Sequence, residues 1–161
     1  LGLRRAQTEA ACRAQGIEWW DDPHNRDPRY ARSRVRHDVL PVVERELGPG
    51  IAEALARTGR LLSADEALLT TLTEEAMTDY DPEVGFEVAA LSARPEALRL
   101  RMLREAALRA GVPPADLALV HLDALDAQVA NRTHLPRTIE LPGKVVALRE
   151  GDSLRLSGRA N

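Results

Sequence analysis

Sixteen residues, Asp22 to His37, hold most of the side chains in this chain that could do chemistry. The run DPHNRDPRYARSRVRH contains five arginines (Arg26, Arg29, Arg32, Arg34, Arg36) together with His24, Asn25 and Tyr30. On a helix, Arg29, Arg32 and Arg36 fall at i, i+3 and i+7, one stripe of guanidinium groups. Each planar fork donates two parallel hydrogen bonds, which suits phosphate or carboxylate. Arg34 points elsewhere and is spaced to pair with Asp38 one turn on. The same arginines also read as a solvated face with local ion pairs, each worth little, and the residues alone leave both readings open.

Other constellations carry less. Asp22, Asn25 and Asp27 could gather oxygens round a cation, but they lack calcium-loop spacing and a distal bidentate Glu; capping of the next helix explains them better. Trp19 and Trp20 could stack on a base, although a buried aromatic pair packing the loop is the simpler expectation. His24, His37, His121 and His134 show no paired-ligand spacing, and neither a GxSxG elbow nor a Walker-type loop occurs. No catalytic residue and no metal ligand is therefore assigned. Cys12, the single cysteine, excludes an internal disulfide and reads as a small core residue. Near the C-terminus Arg132, Arg137, Lys144, Arg149, Arg155 and Arg159 outnumber Glu140, Glu150 and Asp152. That surface could follow an RNA backbone, or its charges could simply discourage edge-to-edge aggregation.

The elements that position these groups read as mainly α-helical. A first helix runs from about Arg4 to Gln15, with Gly16 as its stop, and Ile17 to Trp20 is extended. Asp27 caps a helix with Pro28 at its first position, carrying Arg29 through Arg36; Asp38 and Pro41 then suggest a kink or short break. Gly48-Pro49-Gly50 marks a domain boundary. Leucines at spacings of three, four and seven predict a long helix from Ile51 to Tyr80, either single or broken near Thr58-Gly59. Val84, Phe86 and Val88 alternate as a short strand or extended connection. Ser92 to Arg109 is a helix with Leu98, Met102, Leu103 and Leu108 inward. Pro113-Pro114 opens another helix to Ala130, with Leu117, Val120, Leu125 and Val129 apolar. Thr138 to Leu141, Lys144 to Arg149 and Ser153 to Leu156 then form a small antiparallel meander.

Charge separates along the chain. Residues 1–48 hold nine arginines and eight acids, residues 49–93 two arginines and nine acids, and residues 94–161 eleven basic residues against eight acids. The middle is thus ill suited to phosphate, while either end could meet it. The net charge is −3, so any nucleic-acid binding must come from a local patch. Lys144 is the only lysine, a bias that codon usage explains as well as recognition does. Aromatics make up 3%, which leaves a core of Leu, Val and Ala. No apolar run is long enough for a bilayer and no leader pattern opens the chain, so the expectation is a cytoplasmic protein without membrane contact. The start at Leu1 reads as a trimmed fragment whose natural beginning lies upstream.

The run WDDPHNRDPRYARSRVRHDVLPVVERE resembles the stretch of tRNA(Ile)-lysidine synthetases that closes their nucleotide-binding domain. Asp22, Pro23, Asn25, Asp27, Tyr30, Arg32, Arg34 and Arg36 match that family's pattern, with Leu40-Pro41 following. LRRAQTEAACRAQGI is similar to the family's preceding helix, and IELPGKVVALREGDSLRL to the strands that close its first substrate-binding domain. The resemblance implies an enzyme that adenylates the wobble cytidine of isoleucine tRNA with ATP and lets free lysine displace AMP. It implies residues 1–47 as the last helices of an α/β nucleotide-binding domain and residues 48–161 as a helical tRNA-binding domain ending in the meander.

By that resemblance Asn25, Tyr30, Arg32, Arg34 and Arg36 are the substrate-facing or domain-anchoring candidates. Arg29, Arg137, Lys144 and Arg149 are further candidates for RNA contact. The family's Ser-Gly-Gly-any-Asp-Ser motif is absent from these residues. ATP with magnesium and free lysine are therefore expected to bind an N-terminal domain outside them, and this stretch alone is expected to bind no cofactor and form no lysidine. A homodimer is left open. The competing expectation is a non-enzymatic helical module that binds another protein.

Overall fold

A computed structural model describes residues 5–20, 22–130 and 137–158. The chain divides into two compact units, Leu1–Arg60 and Leu61–Asn161.

In the first unit, α1 (Arg5–Ala14) ends as its glycine dictates. Gly16 takes φ +67°, and Ile17 N–H reaches back to Cys12 O at 2.9 Å, which satisfies a last-turn carbonyl. Cys12 is half-buried. A 3-10 turn at Pro23–Arg26 leads to α2 (Ala31–Arg34), a π turn (Val35–Val39) and α3 (Leu40–Leu47). The helix expected from Asp27 therefore starts later. The Asp27 carboxylate accepts Arg29 N–H at 2.9 Å and its carbonyl accepts Tyr30 N–H at 3.2 Å, a closed turn ahead of the helix. The expected break near Pro41 is replaced by a wider turn. Pro41 has no N–H and its ring crowds the carbonyl four residues back; Leu40 N–H instead bonds Val35 O, five residues back. Among the described residues of this unit no apolar side chain is buried, while Ser33 is.

The α4 helix (Ile51–Ala76) is a single helix of 26 residues, uninterrupted at Gly59. Glu44 caps its start, with one carboxylate oxygen on Gly50 N–H and the other on Ala52 N–H, each at 2.8 Å. Its leucine spacing predicts the helix correctly but not a covered face. Leu55, Leu61, Leu62 and Leu68 are each exposed over more than half their surface.

The second unit holds the core. β1 (Phe86–Glu87) and α5 (Val88–Ser92) precede α6 (Glu96–Arg109) and α7 (Leu119–Ala130). Ser92 thus closes a short helix rather than opening the long one, which begins after Pro95. Leu98, Met102, Leu103, Ala106 and Ala107 form the buried stripe of α6. The helix expected from Pro113-Pro114 begins only at Leu119, after a turn closed by Asp116 N–H on Pro113 O. His121 Nδ1 accepts Ala118 N–H at 3.0 Å ahead of that start, and Val120 faces outward. Leu125 and Val129 are buried as their spacing predicts.

β2 (Arg137–Leu141), β3 (Val145–Glu150) and β4 (Ser153–Gly158) form the meander, and β1 joins it in the order β1-β4-β3-β2, all antiparallel. Alternation puts Val145, Ala147, Leu154 and Leu156 into the core with Leu103 and Leu125. Gly143 (φ +75°) turns β2 into β3; a Cβ there would meet Pro113 Cδ at 2.8 Å and Gly111 O at 2.9 Å. The mainly α architecture with a C-terminal antiparallel sheet is as the sequence predicts. Among the described residues no helix is long and apolar enough to cross a membrane.

Candidate nucleic-acid interface

In the first unit, two acids shape the loop that carries the chemistry. The Asp22 carboxylate accepts His24 N–H at 2.9 Å and lies 2.8 Å from His24 Nδ1. Those bonds, the backbone one first, hold its carboxyl below its ordinary value. Asp27 Oδ2 accepts Arg29 Nε at 2.9 Å and Nη2 at 2.6 Å, and this guanidinium is the main cause of the lowered Asp27 carboxyl. Both acids therefore act as local fasteners.

A third fastener joins loop to helix. The Asn25 carbonyl accepts Ser33 Oγ at 3.2 Å and lies 3.2 Å from His37 Nε2, so the 3-10 turn is tied to α2 and to the π turn. The His24 and Tyr30 rings stand 6.3 Å apart. As a result His24, Asn25, Tyr30, Arg32, Ser33 and Arg36 line one open cleft of about 370 Å³. Arg32 and Arg36 lie one turn apart. The lining holds two guanidinium groups, an imidazole, an amide, a phenol and a hydroxyl but no carboxylate, a set suited to an anion with an aromatic or polar neighbour.

The other candidates are placed elsewhere. Arg29 lies ahead of the helix and is held by Asp27, so the expected three-arginine stripe is reduced to Arg32 and Arg36. Arg34 Nη1 donates to Pro28 O at 2.7 Å and Arg29 O at 3.0 Å, not to Asp38; it braces the turn before α2. Trp19 and Trp20 are not a buried pair. Trp20 is 78% exposed, and Arg13 sits 5.5 Å over the Trp19 ring.

In the second unit Arg137 is exposed on β2 and Lys144 exposed in the following turn. Arg149 is 4% exposed, with its guanidinium donating to Gln128 O and, at 3.2 Å, to Gly151 O. Its bonds thus brace α7 and the β3–β4 turn. Asp21, Arg132, His134 and Arg159 lie outside the described residues. Among the described residues no group of three His, Cys, Asp or Glu side chains could hold a metal ion.

Two parts of the chain match known families: residues 1–43 match the PP-loop domain, and residues 86–155 the TilS substrate binding domain. The tRNA(Ile)-lysidine synthase of Streptomyces coelicolor is 44% identical over 155 residues, 96% of this chain and 44% of that protein. The chain belongs to the tRNA(Ile)-lysidine synthase family. The synthase of Leifsonia xyli is 45% identical over 94% of this chain and 46% of its own length; that of Salinispora tropica is 42% identical over 94% and 48%. The chain thus spans a little under half the length of these synthases. The cleft around Arg32 and Arg36 falls inside the PP-loop match, while Arg137, Lys144 and Arg149 fall inside the substrate-binding match.

Sequence reasoning missed Ser33 as a tie and Gln128 as a buried polar group. Ser33 carries no periodic signal, because its partner is a carbonyl eight residues away. Gln128 was more accessible to reasoning, since it stands three residues after Leu125 and just before Val129 on the inward face of α7.

Proposed function

We propose that this chain supplies RNA binding and inter-domain positioning to a tRNA(Ile)-lysidine synthase, the cytoplasmic ligase that joins lysine to the wobble cytidine of isoleucine tRNA at the expense of ATP. One observation carries the reading: Arg32 and Arg36 converge with Asn25 and Tyr30 on a single cleft without a carboxylate, inside the segment that matches a PP-loop domain. A neutral carbonyl oxygen is a poor leaving group, and adenylation converts it into a departing phosphate ester. Guanidinium groups suit both the RNA backbone and the charge on that phosphate.

ATP, with magnesium, belongs to the whole enzyme in this reading. The Ser-Gly-Gly-any-Asp-Ser loop does not occur in the sequence, and no metal cluster is found among the described residues. No step through ATP is therefore assigned to these side chains. Their role is to hold and orient the polyanion. Asn25, Tyr30, Arg32 and Arg36 face it directly, Arg34 braces the loop behind them, and Arg137 and Lys144 offer separate basic contacts on the second unit.

The test is a titration of the full chain with labelled isoleucine tRNA and with an unrelated tRNA. Tighter binding of isoleucine tRNA supports the reading, and no binding of either removes it. The exposed leucines of α4 favour a second reading, association with another protein. Mass measurement with and without Leu61→Glu and Leu68→Glu separates that property from RNA binding.

A further inference from the structure

Beyond the arginine cleft, the second unit holds a buried polar group that none of the described residues answers. Gln128 is 4% exposed, and its Oε1 is closed to solvent without a hydrogen-bond partner among the described residues. Buried polar atoms are almost always paired, so such an atom calls for an explanation. It belongs to an open cleft of about 430 Å³ between α7 and β2, lined by Ala124, Ala127, Gln128, Arg137, Thr138 and Ile139. The two alanines and Ile139 supply apolar lining, and Gln128, Arg137 and Thr138 supply polar lining. A half-turn of the amide about its last, soft torsion exchanges oxygen for nitrogen, so the group can meet either a donor or an acceptor.

A second observation points to an anion at the same place. Arg137 and Arg149 are direct cross-strand partners on β2 and β3, so two guanidinium groups share one face of the sheet. Arg149 turns inward to the Gln128 and Gly151 carbonyls. Arg137 stays exposed at the cleft, with no carboxylate partner among the described residues.

We propose that this cleft is a subsite for one unpaired nucleotide of a bound RNA. The base lies against Ala124, Ala127 and Ile139, the Gln128 amide turns out of its closed position to meet the polar edge of the base, and the adjoining phosphate lies on Arg137. Unpaired bases offer both a face for apolar contact and an edge for hydrogen bonding, which paired ones do not. The proposal rests on the RNA-binding reading above and assigns a recognition task to a region that the reading left merely basic.

The experiment titrates labelled isoleucine tRNA against the full chain and four variants over a range of salt. Gln128→Met keeps the volume and removes the amide. It is expected to leave thermal stability equal or higher, since an unpartnered acceptor is gone, yet to weaken binding about tenfold with the salt slope unchanged. Arg137→Gln, at the surface, should lower the salt slope by about one unit. Ala127→Leu, on the exposed side of α7, should fill the cleft and weaken binding while the fold persists. Arg32→Gln/Arg36→Gln serves as the control. If it weakens binding while Gln128→Met and Ala127→Leu stay within twofold of wild type, the subsite is refuted and the broader reading stands. If the wild-type chain does not bind tRNA, both fall.

Discussion

The two units of this chain hold their shapes by different means. In Leu61–Asn161, apolar side chains from α5, α6, α7 and the sheet close into one core, with Leu103, Ala107, Leu125, Ala147 and Leu154 wholly buried. In Leu1–Arg60, the described residues bury no apolar side chain; local hydrogen bonds from Asp22, Asp27, Ser33, Arg34 and Glu44 fix the backbone instead. Burial gives stability without direction, whereas a carboxylate or hydroxyl on a particular amide or carbonyl gives direction with little stability. The first unit is thus suited to presenting a few polar groups, and the second to carrying the fold.

The contrast is most exposed to failure in the core. Leu103→Ala should cost about 3 kcal/mol in thermal or denaturant unfolding, while Val39→Ala, at a surface-exposed site in the π turn, should change stability by less than about 0.5 kcal/mol. Comparable effects would abolish the distinction. Arg149→Met should cost about 2 kcal/mol, because the Gln128 and Gly151 carbonyls lose a buried donor; a neutral outcome would return Arg149 to the surface. Asp126→Asn, which weakens the Arg99 pair between α6 and α7, should cost about 1 kcal/mol.

The smallest effect concerns pH. Asp22 and Asp27 have lowered carboxyl pKa values, so their contribution is complete above the ordinary aspartate value and fades as pH falls through the depressed one. Amide shifts of His24 and Arg29 should therefore move on acidification below about pH 4, while the Leu103 and Ala147 amides stay still. Simultaneous movement would mean that the acids hold more than their own loop.

The sequence made this division partly visible. The α6 stripe, the Gly16 stop and the alternation of β3 and β4 follow from period and glycine placement, because burial or a positive φ leaves few residue choices. The start of α2 did not follow. Asp27-Pro28 signals a helix cap, and only the pairing of Asp27 with Arg29 shows that the signal opens a turn. The apolar leucines of α4 revealed its helicity but not what covers it, since periodicity reports a face and not its partner. At the cleft, residue types suggested a polyanion. The pairing of Arg32 with Arg36, and the loss of Arg29 and Arg34 to local partners, required the carbonyl ties of the loop.

The central claim is that Arg32 and Arg36 meet phosphate. The salt dependence of isoleucine-tRNA binding by Arg32→Gln/Arg36→Gln tests it most directly. Loss of two phosphate contacts should reduce the slope of log affinity against log salt by about 1.4 to 1.8 units and weaken binding most at low salt. A slope equal to that of the wild-type chain would show that these guanidinium groups face only water.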